Sequence, residues 1–268
     1  MQATKIITLL TDFGDGDGFV GVMKGVILSI NPQATIVDIT HHVPRHNINA
    51  GAFILGNSYK FFPPGTIHVS VIDPGVGSTR KAIFVQTEKY FFVAPDNRVL
   101  KYIFHYEKRF TVHEILNDSY FLKKVSNTFH GRDIFAPCAA HLSLGVRIEK
   151  FGPQINNFER GRVFSPNVTK NHIEGQIVYT DKFGNLITNI HQSLVQRHSF
   201  QITLGNYVIN SLSNSYSEGK NLLPIALIGS SGFLEIALFK QSARDILGFK
   251  EKDKLRVDLL KQVEKILI

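Results

Sequence analysis

Chemistry can first be placed in the stretch IHVSVIDPGVGSTR, residues 67–80, where an apolar run ends in a lone carboxylate. Ile67, Val69 and Val71 would share one face of a strand and His68, Ser70 and Ile72 the other, which suits a strand covered on both sides. Asp73 ends that run. Pro74, Gly75 and Gly77 then let the backbone approach a small molecule closely, and Arg80 brings a cation back. Ligands of open α/β sheets bind at this carboxyl edge, although Asp-Pro-Gly with a surface ion pair is also ordinary turn chemistry. A second carboxylate, Asp12, ends the first apolar run and belongs to the same edge, where it can accept hydrogen bonds from both hydroxyls of a ribose. A third stretch, Thr128-Phe-His-Gly-Arg-Asp133, sets His130 beside a glycine, just before a predicted helix whose N-terminal amides favour negative charge. Aspartate, arginine and histidine together can hold and activate a water.

Other motifs lead elsewhere. Gly16, Gly18 and Gly21 match G-x-G-x-x-G after a strand, and Asp38 follows about twenty residues on, as in a dinucleotide site. Asp12, Asp15 and Asp17, however, would put carboxylates where a pyrophosphate must sit. A calcium loop counted from Asp15 meets Val26 where a bidentate glutamate is required. His41, His42 and His46 have loop spacing for a metal but no flanking carboxylate at the usual intervals. Cys138, beside Ala139 and Ala140, reads as core packing. No G-x-S-x-G supports a hydrolase elbow. No metal is expected.

The elements that must position these residues follow from periodicity. A strand near 5–10, a helix over 18–30 closed by Asn31-Pro32, and a strand over 34–39 form a strand–helix–strand opening, which implies a parallel sheet. A helix near 49–61, the strand at 67–72, and strands at 82–87 and 90–94 continue it. A further helix is predicted over 133–144, with Asp133 as N-cap or first-turn residue and Pro137 still early enough to be tolerated. Residues 1–153 are therefore read as an α/β domain. The polar, aperiodic residues 154–171 read as a linker, and 172–268 as a smaller all-β sandwich or barrel built from short runs broken by Gly, Asn and Ser. The last twenty residues suit a strand or a terminal helix equally. A formal charge of +8 spread without basic–aromatic clusters argues against nucleic acid, and no run is long and apolar enough for a membrane span. One cysteine rules out an internal disulfide, and the cytoplasm is the expected compartment.

Five segments in order carry a family resemblance: TDFGDGDGFVGVMKG (11–25), VIDPGVGSTR (71–80), TFHGRDIFAP (128–137), DKFGNLITNI (181–190) and SSGFLEIAL (230–238). Together they resemble the S-adenosylmethionine hydroxide adenosyltransferases, adenosine-forming hydrolases related to fluorinase and chlorinase. The resemblance implies a water-handling triad of Asp73, Arg80 and His130, with Asp12 on the ribose hydroxyls. Asp181, Phe183, Asn185, Ser230, Ser231, Glu235 and the backbone at Ala237 would serve the methionine and adenine ends of the ligand. It implies an α/β N-terminal domain with a mostly parallel sheet, followed by an antiparallel β-barrel. It also implies a homotrimer with sites between one subunit's N-domain and its neighbour's C-domain. No cofactor is implied, since S-adenosylmethionine is the substrate. The family halogenases replace the aspartate of DPGVG and the histidine of HGRD; this chain keeps both, which argues for hydrolysis.

The chemistry of the substrate agrees with that expectation. A sulfonium leaves as neutral methionine without a proton, so the demanding requirement is a nucleophile at C5′ of the ribose, and Asp73, Arg80 and His130 could supply one. A sensor that binds adenosine or S-adenosylmethionine without turnover would need only the ribose and base contacts. A nucleotide-dependent oxidoreductase would rest on the glycine pattern alone.

Overall fold

Alternating Ile, Leu and Thr make β1 (Ile6–Thr11) a strand, and Val20, Met23 and Ile27 recur at helical spacing to bury one face of α1 (Phe19–Ile30). The chain returns as β2 (Thr35–Thr40), parallel to β1. Asn47 caps α2 (Ile48–Ser58) by accepting from the Ala50 N–H, and a 3-10 turn, Tyr59–Phe61, extends it. β3 (Ile67–Val71) lies parallel to β1 with Thr11 opposite Val71, which puts Asp12 and Asp73 on neighbouring strand ends. β4 (Ala82–Thr87) and β5 (Phe91–Pro95) form an antiparallel hairpin, and β5 pairs in parallel with β3. α3 (Lys101–Tyr106) and β6 (Phe110–Glu114) follow, giving the strand order β2-β1-β3-β5-β4-β6. This computed structural model describes residues 2–195, 199–220 and 222–260.

Both faces of the sheet are covered. Ile7, Leu9, Ile67 and Val69 pack with Met23 and Ile27 of α1 and with Ala136, Ala139 and Cys138 of α4 (Ala136–Ser143). On the other face, beneath α2, Thr8 Oγ1 and His68 Nδ1 lie 2.8 Å apart, and the imidazole stacks on Phe92. Burial pushes His68 down to about 3, so it is neutral here and serves as a core residue. Cys138 is fully buried, as its alanine neighbours suggested, and burial pushes its thiol well above the ordinary range.

Contacts divide the chain into two units, Met1–Val163 and Phe164–Ile268. Residues 154–163, inside the stretch assigned to the linker, are held by the first unit. Ile155 N donates to Val112 O, Glu159 N donates to Asp96, and the Phe158 ring meets those of Phe104 and Phe110. The second unit comprises β7 (Asn167–Val168), β8 (His172–Thr180), β9 (Leu186–His191), β10 (Ser199–Leu204), β11 (Tyr207–Ile209), β12 (Ile225–Ile228), β13 (Phe233–Ala237), α5 (Ala243–Leu247) and β14 (Lys254–Leu260). Its sheet runs β11-β10-β14-β8-β9-β13-β12, with every one of these pairs antiparallel. A bridge from Leu212 to Ala226 curls it nearly into a barrel around Ile177, Ile202, Leu234 and Val257. The architecture is therefore α/β followed by a near-barrel. The chain end is a strand as far as Leu260; the rest of the last twenty residues, 261–268, lies outside the described residues.

Gly56 lies on α2 where it meets α3, and a Cβ there would come within 2.6 Å of Tyr102 Cβ. Helix propensity favours alanine by roughly 1 kcal/mol, while overpacking against a rigid ring base costs about 1–3 kcal/mol. Gly56→Ala is therefore expected to lower the melting temperature by a few degrees. An unchanged or raised midpoint in a calorimetric scan would show that the interface can relax.

Candidate active site

The turn after β3 folds back on itself. Val76 N and Ser78 N donate to Asp73 O and Gly75 O, and the Ser78 hydroxyl donates to Gly75 O at 2.6 Å. This brings Arg80 onto Asp73: Nε lies 3.0 Å from both carboxylate oxygens and Nη2 lies 2.5 Å from Oδ2. The two side chains are only 10% and 5% exposed, so this is a buried ion pair and not the surface pair that the turn motif also allowed. Asn97, just beyond β5, donates to Ile72 O at 2.8 Å and fixes the strand end from which Asp73 projects.

The same guanidinium reaches the HGRD segment. Arg80 Nη2 donates to His130 Nδ1 at 2.7 Å, and its carbon lies 5.3 Å from the centre of the Phe135 ring. Guanidinium cannot accept a hydrogen bond, so Nδ1 is the acceptor and the imidazole proton sits on Nε2. Burial first, and the Arg80 charge second, hold His130 below its ordinary value and keep it neutral. Gly77, at φ +76°, is what lets the two segments meet, because a side chain there would collide with Asn127 O.

The helix predicted from Asp133 begins differently. Gly131–Phe135 forms a wide π-helical turn before α4, closed by Ala136 N donating to Gly131 O. Pro137 supplies the physical reason: it has no N–H for the carbonyl of Asp133 and its ring crowds that carbonyl. Asp133 O instead accepts from Leu122 N. Asp133 is accordingly a first-turn residue and not the N-cap; its buried carboxylate accepts from Ser126 N and from Arg132.

Asp12 sits on the adjoining strand end, 9% exposed, where its Oδ2 accepts from His46 N at 2.8 Å. His46 adopts φ +61° to present that N–H. His41 is buried between Thr11, whose hydroxyl lies 2.9 Å from its Nδ1, and Asp38, while His42 meets Asp15. These histidines thus support the loop around Asp12, and among the described residues no group of three or more His, Cys, Asp or Glu could hold a metal. Nor is any helix among them long and apolar enough to cross a membrane.

In the second unit a cavity of about 660 Å³ is lined by Asp181, Phe183, Asn185, Tyr216, Ser230 and Glu235, among others. Asp181 accepts from Phe183 N, Asn185 N and Asn185 Nδ2, so it shapes the DKFGN turn and leaves the Phe183 ring 74% exposed. Ser230 and Ser231 form the tip of the β12–β13 hairpin, Gly232 N closing it onto Gly229 O. Glu235 is buried on β13 and accepts from Tyr216 at 2.9 Å; burial and the nearby Asp181 charge raise its carboxyl despite that bond. Ala237 is fully buried on β13 and paired with Ile225. Tyr216 and Asn97 escaped the sequence reading because single polar residues in Ser/Asn-rich or turn segments carry no periodic signal.

Comparison with known proteins assigns the family. A family model for the SAM hydroxide adenosyltransferase N-terminal domain matches residues 7–152, and one for the C-terminal domain matches 175–256. The chain belongs to the SAM hydroxide adenosyltransferase family. It is 36% identical to the (R)-S-adenosyl-L-methionine hydrolase of Methanocaldococcus jannaschii over 94% of this chain and 95% of that one. A more distant relative is the fluorinase of Actinopolyspora mzabensis, 24% identical over 94% of this chain and 96% of that one. The crystal structure of an uncharacterized conserved protein from Thermotoga maritima superposes with a TM-score of 0.87 at 36% identity, covering 94% of this chain and 99% of that one. In the language of this adenosyltransferase family, the first unit holds the HGRD and DPGVG segments and the second holds DKFGN and SSGFLEIAL.

A carboxyl raised by folding stabilises the protein below its ordinary value, near 4.5, and that contribution is lost as pH rises through the folded value. Glu235→Gln keeps an acceptor for Tyr216 and removes the buried charge. Its melting temperature should exceed that of the wild type at pH 7.5 and match it near pH 4. Equal midpoints at pH 7.5 would mean that the burial is not felt.

Proposed function

We propose that this protein hydrolyses S-adenosyl-L-methionine to adenosine and L-methionine, with a water held by Asp73, Arg80 and His130 attacking C5′ of the ribose. The observation that carries the reading is the one guanidinium that binds the carboxylate and the neutral imidazole together at the sheet's carboxyl edge. In the reaction the C5′–O bond forms and the C5′–S bond breaks. The electron pair passes to sulfur, giving a neutral thioether, and one proton is released. Arg80 occupies three of the roughly four lone-pair directions of the Asp73 carboxylate, so one direction on Oδ1 remains to take that proton. His130, protonated at Nε2, serves as a donor that stabilises hydroxide character, a contribution typically worth about 3 kcal/mol. Asp12 would hold the ribose hydroxyls. Asp181, Phe183, Asn185, Ser230, Ser231, Glu235 and the Ala237 backbone would bind the rest of the substrate, and no cofactor or metal is required.

The test is turnover in water enriched in heavy oxygen, with a chelator present. Adenosine should carry the label in its 5′-hydroxyl, and label elsewhere, or loss of activity with the chelator, would reject the displacement. Asp73→Asn should lower kcat by at least about a hundredfold with little change in KM, because the amide keeps the size but cannot take the proton.

The assembly we propose is a homotrimer in which the first unit of one subunit meets the second unit of its neighbour. Support comes from the family and from the division of the ligand-handling residues between the two units. Co-expressed Asp73→Asn and Asn185→Ala chains, each nearly inactive alone, should then regain activity in mixed rings. Activity no higher than that of either parent would assign each site to a single chain.

A further inference from the structure

Asp133 has no part in the proposed displacement, yet it is fully buried, and its two main-chain groups and one carboxylate oxygen all bond to one short segment. Its main-chain oxygen accepts from Leu122 N at 3.0 Å and its N–H donates to Phe129 O at 3.1 Å. Its Oδ2 accepts from Ser126 N at 2.8 Å. Ser126 in turn accepts Phe129 N on its hydroxyl, so residues 122–129 are tied at both ends and in the middle to one aspartate. His130 is the next residue, and on the far side of this segment Gly77 rests against Asn127 O. Arg132 balances the buried charge, with Nε at 2.6 Å from Oδ1, and lies over the Phe129 ring.

We propose that Asp133 is the positioning residue for His130: it closes the 122–129 segment onto the π-helical turn and so holds the imidazole against Arg80. The inference rests on the proposed hydrolysis for its catalytic meaning, but the placement of His130 can be tested without it. Pro137 gives the arrangement its cause, since the carbonyl it leaves unbonded is the one that Leu122 uses. A structural carboxylate elsewhere in the core would stabilise the fold equally, but it would not hold the segment that leads into His130. The charged groups around His130 are Arg80 and Asp73 from the β3–β4 turn and Asp133 with its partner Arg132 from the helix side. Burial first, and the Arg80 charge second, hold the imidazole pKa down, and the Asp73 and Asp133 charges act against them.

Two variants separate the roles. Asp133→Asn keeps an acceptor for Ser126 N and removes the charge, whereas Asp133→Ala removes both. The His130 imidazole is followed by NMR across pH in the full chain, its resonance assigned by its disappearance in His130→Asn. In Asp133→Asn the His130 midpoint should move to lower pH, because a negative charge that raises it is gone, and the acid limb of kcat/KM should move the same way. Asp133→Ala should lose about tenfold or more in kcat with KM for S-adenosyl-L-methionine within about threefold, and Asp133→Asn should recover most of that loss above the acid limb. A His130 midpoint that stays in place or rises in Asp133→Asn, or a kcat within twofold of wild type in a folded Asp133→Ala, overturns the proposal. If Asp133→Ala does not fold, the titration in Asp133→Asn decides alone. A wild-type protein that leaves S-adenosyl-L-methionine intact overturns the hydrolysis, and the titration still judges Asp133.

Discussion

A single guanidinium bonded to a carboxylate on one side and an imidazole on the other is the constraint around which the first unit is built. Arg80 and Asp73 are nearly buried, and a buried charge that loses its partner typically costs about 3–5 kcal/mol. The surrounding chain therefore has to deliver both ions to one place. β3 runs beside β1 in the middle of the sheet, the Ser78 turn folds Arg80 back, Asn97 grips the last carbonyl of the strand, and Gly77 lets the HGRD segment come within contact. Because the imidazole accepts from a cation that never gives up its charge, its tautomer is set by the fold and not by solvent.

The second unit carries a different kind of tension. Glu235 is kept buried beside Asp181, with Tyr216 donating to it, and Gly229 has no side chain because one there would collide with the Glu235 carboxylate. Such an arrangement weakens the fold at neutral pH. The exposed Phe183 ring beside it has the same character: a large apolar face that the DKFGN turn holds out to solvent on a backbone fixed by Asp181.

Much of this was legible in the sequence because strand ends announce themselves. The apolar runs into Asp73 and Asp12 gave both the sheet and its carboxyl edge, and the spacing of Val20, Met23 and Ile27 gave the first helix. What stayed hidden was short or depended on distant partners. α3, α5 and β6 are five or six residues long and carry too few periods to register. Asp133 reads as a helix cap or a first-turn residue because both are local rules, and the second is where it sits. Its actual partner, Ser126, lies on the other side of the histidine, and the displaced carbonyl that explains the geometry is governed by Pro137, four residues on. His41 and His46 look like candidate ligands in isolation; only the fold shows that one supports Thr11 and that the other supplies a main-chain N–H to Asp12.

The lone thiol has a practical consequence. Cys138 lies wholly inside the core of the first unit, its thiol held protonated by burial, and such a sulfur is inert towards alkylating reagents while the fold is intact. The wild-type chain is therefore a silent background for bioconjugation. A cysteine engineered at the exposed tip of Phe183 or on the Ser230 hairpin would be the one group to take a maleimide dye or a nitroxide. Reaction at Cys138 itself would report the opening of the core, so that one reagent reads motion of the DKFGN turn or the hairpin in one variant and unfolding in the parent.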